Sequence, residues 1–233
     1  MIYLQNSDIT EDYYNHFPLS DYFSFNITPY VSIVKFENEE AILREGESPD
    51  VLYYLIDGRA KLFLSHENGR ISLINFLNAP CFIGEMELLG AQESANGVTA
   101  ITPCICYAID VRKCKDKMLN DPVFLRHLCL FLSKKAIDNT SNYSKNQSYT
   151  LDVRLANFIL LTSCNGLYRE RHTEVAEFLG VTYRHLLYVL AKFVKQGILE
   201  KTKSGYCIKD YHALKKIATC LFLNQDALNS SIT

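Results

Sequence analysis

Apolar positions change their spacing along this chain, and the change divides it. Between Val31 and Ile109 they come in short runs: VSIVKF, AILR, VLYYLI, RAKLFLSH, RISLINF and TAITPCICYAI. These runs are rich in β-branched and aromatic residues, as strands are. Turn signals separate them: EGESPD before Val51, Asp57-Gly58, Glu67-Asn68-Gly69 and Asn78-Ala79-Pro80. His66 to Gly69, between two alternating runs, is the clearest hairpin signal. Many short antiparallel strands without a helical crossover predict a small barrel or jelly roll, not a parallel α/β fold. Residues 1–30 are rich in Tyr, Phe, Asn and Asp and weakly periodic, with room for one short helix.

After Asp110 the spacing becomes helical. Asp110–Asn120 predicts a short helix with Asp110 as its cap, and Asp121-Pro122 opens a longer one. Phe124, Leu125, Leu128, Phe131, Leu132 and Ile137 recur at three- and four-residue steps, one stripe from Pro122 to about Asn139. Such a stripe packs on its own domain or faces a second copy of the chain, and both readings stand. Asn139–Ser148 is polar, a helix end or hinge. Leu151–Ser163 is again apolar at helical spacing and Gly166 ends it. Helices over Thr173–Leu179 and Thr182–Gln196, a hairpin over Leu199–Ile208 and a helix over Tyr211–Leu223 complete the pattern.

The stretch His172–Tyr188, HTEVAEFLGVTYRHLLY, has the layout of a helix-turn-helix. Thr173 caps a first helix, the small Ala176 permits close approach, Gly180 suits a positive φ, and Val181 plugs the angle. Thr182 caps a second helix that anchors through Leu186, Leu187, Leu190 and Phe193. Tyr183, Arg184, His185 and Tyr188 lie on its other side, near the end that meets base edges. Arg184 suits guanine O6 and N7 together, and Tyr183 and Tyr188 suit a phosphate or a thymine methyl. Thr173, Thr182 and His185 are candidate phosphate contacts, with Lys192, Lys195, Lys201 and Lys203 as a positive rim that positions without specifying.

Charge supports that division. Net charge is −2 overall, but residues 150–233 hold 11 Lys/Arg against 7 Asp/Glu (+4) and residues 1–149 hold 13 against 19 (−6). A basic module joined to an acidic one fits a DNA reader with a regulatory part. No GxSxG, P-loop, HExxH or HxH…E…H set is present, so an enzyme is not expected. A small-ligand-binding or protein-interaction module on the same scaffold is the alternative. The opening MIYLQNSDITEDYYNHF has no basic region before an apolar run, and no segment reaches a membrane span; the expected address is the cytoplasm.

Eight cysteines carry no CxxC and no zinc-finger spacing. Buried structural thiols are one reading. A thiol switch or metal site is the other: Cys104 and Cys106, at i and i+2, share a face of a strand and join Cys81 or Cys114. His66 and His127 lack a haem motif.

The runs VTYRHLLYVLAKF at 181–193, FLNAPCFIGEMELL at 76–89 and LDVRLANFILL at 151–161 give a resemblance over roughly residues 31–210. The chain resembles the cyclic-nucleotide-receptor and fumarate-nitrate-regulator (Crp-Fnr) superfamily of bacterial transcription factors, its YeiL-type members above all. The resemblance implies an α+β fold: an N-terminal jelly-roll (double-stranded β-helix) sensor domain over 1–120, a dimerisation helix and hinge over 121–148, and a winged helix-turn-helix over 149–223. It implies a homodimer on a near-palindromic operator, half-sites about 34–36 Å apart or a multiple, with RNA polymerase as a further partner. The family's base-contact positions match Tyr183, Arg184 and Tyr188, and the expected dimerisation helix carries Phe124, Leu125, Leu128, Phe131 and Leu132.

The sensory end departs from the family pattern. Nucleotide-binding members carry a Gly-Glu pair, then an Arg-Ser or Arg-Thr that grips the cyclic phosphate. Gly84-Glu85 keeps the pair, as a ribose acceptor or as a turn with a local carboxylate bond. Ala95 and Asn96 stand at the grip, and Ala95 has no charge to offset a buried phosphate. Cyclic AMP is therefore not expected as effector. Residues 1–80 contain no Cys, which excludes the N-terminal iron-sulfur arrangement of oxygen-sensing relatives. The effector itself, and activation against repression, stay open.

Overall fold

The computed structural model describes residues 1–4, 13–67, 69 and 71–218, with side chains except over 141–147. They form two units, Met1–Ala136 and the residues from Ile137 onward.

The first unit holds β1 (Ile2–Tyr3), β2 (Val31–Phe36), β3 (Ala41–Leu43), β4 (Val51–Asp57), β5 (Arg59–Ser65), β6 (Ile71–Asn78), β7 (Cys81–Ile83), β8 (Gly97–Ala100) and β9 (Cys104–Asp110). They build two antiparallel sheets, in the orders β1-β2-β9-β4-β7 and β3-β8-β5-β6. Two-residue periodicity gives the larger sheet a core on each face. On β4 and β9, Leu52, Tyr54, Ile56, Ile105, Tyr107 and Ile109 enter one cluster. Tyr53, Leu55, Cys104 and Cys106 enter the other. Burial on both faces explains why VLYYLI reads as an unbroken apolar run.

TAITPCICYAI, expected as one strand, is two. Pro103 cannot donate to a ladder, the chain bends, and β8 and β9 belong to different sheets. Residues 13–30 include two 3-10 turns, Leu19–Tyr22 and Thr28–Tyr30, and bury Leu19, Phe23 and Ile27 at four-residue steps. The Tyr107 hydroxyl donates to the Phe17 carbonyl at 2.9 Å and ties this segment to the sheet.

Three helices follow the strands' turns: α1 (Glu85–Leu88), α2 (Val111–Leu119) and α3 (Pro122–Ser148). Asp110 occupies the cap position of α2, but its carboxylate pairs with Arg112 at 3.2 Å and Lys113 at 3.1 Å and caps no backbone N–H. Asp121 does cap α3, accepting from Val123 N at 3.0 Å and from Ser24 N at 2.8 Å. Phe124 and Leu128 are 0% and 1% exposed in their own unit's core, where Phe124 stacks on Phe23 at 4.9 Å. Both therefore pack on their own unit, one of the two readings that the stripe allowed. Leu125, Phe131 and Leu132 are half-buried against the same core. Among the described side chains of α3, Leu130 and Ile137 are the exposed large apolar ones. The polar run Asn139–Ser148 is helical throughout, so losing the apolar stripe does not end the helix.

The second unit holds α4 (Leu151–Thr162), β10 (Leu167–Tyr168), α5 (His172–Phe178), α6 (Tyr183–Lys195), β11 (Leu199–Thr202), β12 (Gly205–Ile208) and α7 (Tyr211–Ala218). The expected hairpin is the β11–β12 pair, extended by β10 in the order β10-β12-β11. Gly205 is required there: its φ is +141° and a Cβ would lie 2.1 Å from the Tyr168 carbonyl oxygen. The last part of the expected helix Tyr211–Leu223 lies outside the described residues, as does Asn68 of the β5–β6 turn.

Candidate functional site

The helix pair α5–α6 is built by its ends. Gly180 takes φ +63° after α5, and the Val181 N–H donates to the Ala176 carbonyl at 2.9 Å, closing the helix with a glycine-based cap. Thr182 then caps α6, its Oγ1 accepting from His185 N at 3.2 Å. Gly197 closes α6 in the same way, with φ +72° and the Ile198 N–H on the Phe193 carbonyl. Thr173 does not cap α5. Arg171 stands at the cap position, because its carbonyl accepts from Val175 N at 3.0 Å, and Thr173 is an exposed residue inside the first turn.

Along α6, Leu186, Val189, Leu190 and Phe193 are at most 1% exposed. Val189 takes the place expected for Leu187, which is half-buried. Each of these burials stabilises by roughly 1.5–3 kcal/mol. The opposite line, Arg184, Tyr188, Ala191 and Lys195, runs at steps of four, three and four and is exposed throughout. Tyr183 and His185 are exposed beside it, and Tyr188 is 69% exposed. On the wing, Lys201 and Lys203 are exposed.

Lys192 differs from the rest of the rim. Its ammonium bonds the Asp152 carboxylate on α4, which raises its pKa, so this lysine ties α6 to α4. A second tether escaped the sequence reading: Arg154 on α4 donates to the Leu179 carbonyl at the end of α5. Its run, LDVRLANFILL, shows only an arginine in an amphipathic helix. Beneath the wing, His172 stacks on Tyr168 at 6.1 Å and packs on Tyr206 at 5.7 Å. Burial, then the charge of Lys201, hold its imidazole below the usual histidine range.

In the first unit, Gly84 turns with φ +96° into α1, and Glu85 is only 3% exposed. Gly84, Glu85 and Asn96 line a cavity of about 50 Å³ together with Glu87, Gln92 and Lys135. Ala95 is 2% exposed and lines a neighbouring open cleft of about 520 Å³ beside Arg44 and Tyr53. The Lys135 ammonium meets Glu85 Oε1 at 2.6 Å. Small-molecule sites enclose about 300–1,000 Å³. The smaller cavity is far below that and Lys135, the cation lining it, is already paired with Glu85, whereas the open cleft beside Ala95 and Arg44 falls within that range.

The cysteines sort by burial. Cys81, Cys104 and Cys106 share one core and Cys114 sits in the other. Burial pushes the Cys81 thiol up to about 12, with the Glu85 carboxylate adding to the effect, and Cys104 and Cys114 up to about 11; Cys106 also moves upward. Cys104 donates to the Arg59 and Thr102 carbonyls at 3.2 and 3.3 Å. Such thiols carry little thiolate, the form that reacts or binds metal. Among the described residues, no three His, Cys, Asp or Glu side chains gather as a metal site, and no helix is long and apolar enough to cross a membrane.

Residues 33–121 match the family model for the cyclic nucleotide-binding domain, and residues 153–217 that for the Crp-like helix-turn-helix domain. Over 198 residues the chain is 45% identical to the regulatory protein YeiL of Escherichia coli O157:H7, covering 85% of this chain and 90% of that protein. The chain belongs to the Crp-Fnr superfamily of transcriptional regulators. This Crp-Fnr regulator is 30% identical to the cAMP-activated global transcriptional regulator CRP of Pasteurella multocida over 132 residues, 55% of this chain and 62% of that protein. Its fold matches a Crp/Fnr-family regulator from Eubacterium rectale, with TM-score 0.71, 18% identity, and coverage of 88% of this chain and 99% of the other. A CRP/FNR-family regulator from Thermus thermophilus gives 0.63 at 21% identity, with 80% and 98% covered. The protein is thus a sequence-specific DNA-binding transcriptional regulator.

Proposed function

We propose that this Crp-Fnr regulator works as a homodimer on a near-palindromic operator, entering the major groove with α6. One observation carries the reading: α6 buries a complete leucine, valine and phenylalanine stripe and leaves Arg184, Tyr188 and Lys195 in line on its exposed side. Tyr183, Arg184 and Tyr188 are the base readers. Thr173, Thr182, His185, Lys195, Lys201 and Lys203 contact phosphate, and Lys192 positions the helix through Asp152. Residues 1–120 act as a jelly-roll sensor, 121–148 as dimerisation helix and hinge, and 149–223 as winged reader. The dimer seam uses the half-buried Leu125, Phe131 and Leu132 with the exposed Leu130 and Ile137. The sensor does not answer to cyclic AMP. The setting is the cytoplasm, with RNA polymerase as downstream partner.

Capture of genomic fragments by the purified full-length protein, followed by sequencing, tests this. The expected result is a two-fold-related consensus whose occupancy falls steeply with added salt. Fragments recovered without a shared sequence would refute specific reading, and an asymmetric single half-site would refute the dimer.

A further inference from the structure

The ion pair between Glu85 and Lys135 ties the start of α1 to α3 inside the first unit. Glu85 is 3% exposed, and its carboxylate reaches Lys135 at 2.6 Å on a helix fifty residues away. A buried charge that loses its partner is strongly destabilising, so neither residue is idle. The cavity beside them, about 50 Å³, has room for little more than water. Lys135 sits at the midpoint of the 27-residue α3 and lies 6.0 Å over the Phe131 ring. Before it, Phe124 and Leu128 anchor the helix in the core; after it, residues 136–140 are all exposed.

We propose that this pair is a built-in latch that replaces a small-molecule effector: the Lys135 ammonium holds α3 on Glu85, and the regulator binds its operator without added ligand. The coupling to DNA rests on the function proposed above; the latch itself does not.

The test uses full-length protein whose native mass shows the bare chain. Hydrogen exchange over residues 128–148 and operator affinity are measured for wild type, Lys135→Met, Glu85→Gln and the swap Glu85→Lys with Lys135→Glu. Wild type is expected to bind without additive. Each single variant should exchange at least about tenfold faster in that segment and bind the operator at least about tenfold more weakly, with recovery in the swap. Wild-type exchange rates in both single variants overturn the latch. Faster exchange with unchanged operator affinity overturns its coupling to DNA. Bare wild-type protein that binds specifically only after a small-molecule extract is added overturns effector replacement. A wild type that selects no genomic fragment defeats the DNA reading instead, and the exchange rates still judge the latch.

Discussion

The outer side of α6 and the cavity behind α1 handle polar groups in opposite ways. On α6, Arg184, Tyr188 and Lys195 face water over a fully buried stripe. Behind α1, a buried carboxylate and a half-buried lysine satisfy each other. Exposed polar groups cost nothing to hold and stay available to a partner. Buried ones are stable only while paired, and here the Lys135 charge is taken up by Glu85. In each region the pairing of the polar groups decides what is left for a partner.

The largest expected effect separates the anchor of α6 from its reading side. Phe193→Ala removes a fully buried ring and should destabilise the protein by about 3–5 kcal/mol, abolishing DNA binding because α6 loses its seat. Arg184→Ala should leave the urea midpoint unchanged. If the two variants unfold alike, stripe and reading side are not separate, and the contrast drawn above fails.

A second contrast lies among the thiols. Cys129 and Cys164 are exposed, whereas Cys81, Cys104, Cys106 and Cys114 are buried with raised pKa. Near neutral pH the buried four should alkylate at least about a hundredfold more slowly than Cys129, read peptide by peptide by mass spectrometry. Fast reaction at Cys81 or Cys106 would restore a redox role for the sensor.

These two regions were not equally legible in the sequence. The α5–α6 pair was, because its signals are local: Gly180, the Thr182 cap and apolar spacing all act within one turn. Its errors were local too. Thr173 looked like a cap by residue type, but the Arg171 carbonyl starts the helix. Leu187 and Val189 both fit an apolar face, and only the direction of packing separates them. The sensor's determinants act at a distance. The pairing of Lys135 with Glu85 appears only when α3 lies against α1. The sheet change at Pro103 depends on which strands lie beside β8 and β9. Two-residue β10 exists only through its pairing with β12, nearly forty residues later.

Smaller than the anchor effect, and confined to binding, is the reading side itself. Arg184→Ala should weaken operator binding by about 1–3 kcal/mol and relax preference at one base position, measured on an operator panel at fixed salt. Lys203→Ala on the wing should weaken all sequences alike and reduce the salt slope by about 1. Equal loss on operator and random DNA for Arg184→Ala would move this residue from base reader to phosphate contact.

The smallest expected effect is an acid response that differs between the two units. Burial and Lys201 hold His172 below its ordinary 6.5, so the folded second unit prefers it neutral. As pH falls below about 6.5 the unfolded chain takes up this proton first, and the stabilisation from a neutral His172 is progressively lost down to the folded pKa. In the first unit, burial raises the Glu87 carboxyl. Its neutral form is favoured there, so its contribution to stability is full below the unfolded carboxyl pKa and is lost as pH rises through the folded one. Acid therefore weakens the reader before it touches this part of the sensor. Urea midpoints followed through probes in each unit, between neutral pH and the carboxylate range, should show the reader's falling first. His172→Phe keeps a ring against Tyr168 and Tyr206 but cannot titrate, and it should flatten the upper part of that fall. An unchanged slope in His172→Phe would assign the acid sensitivity elsewhere.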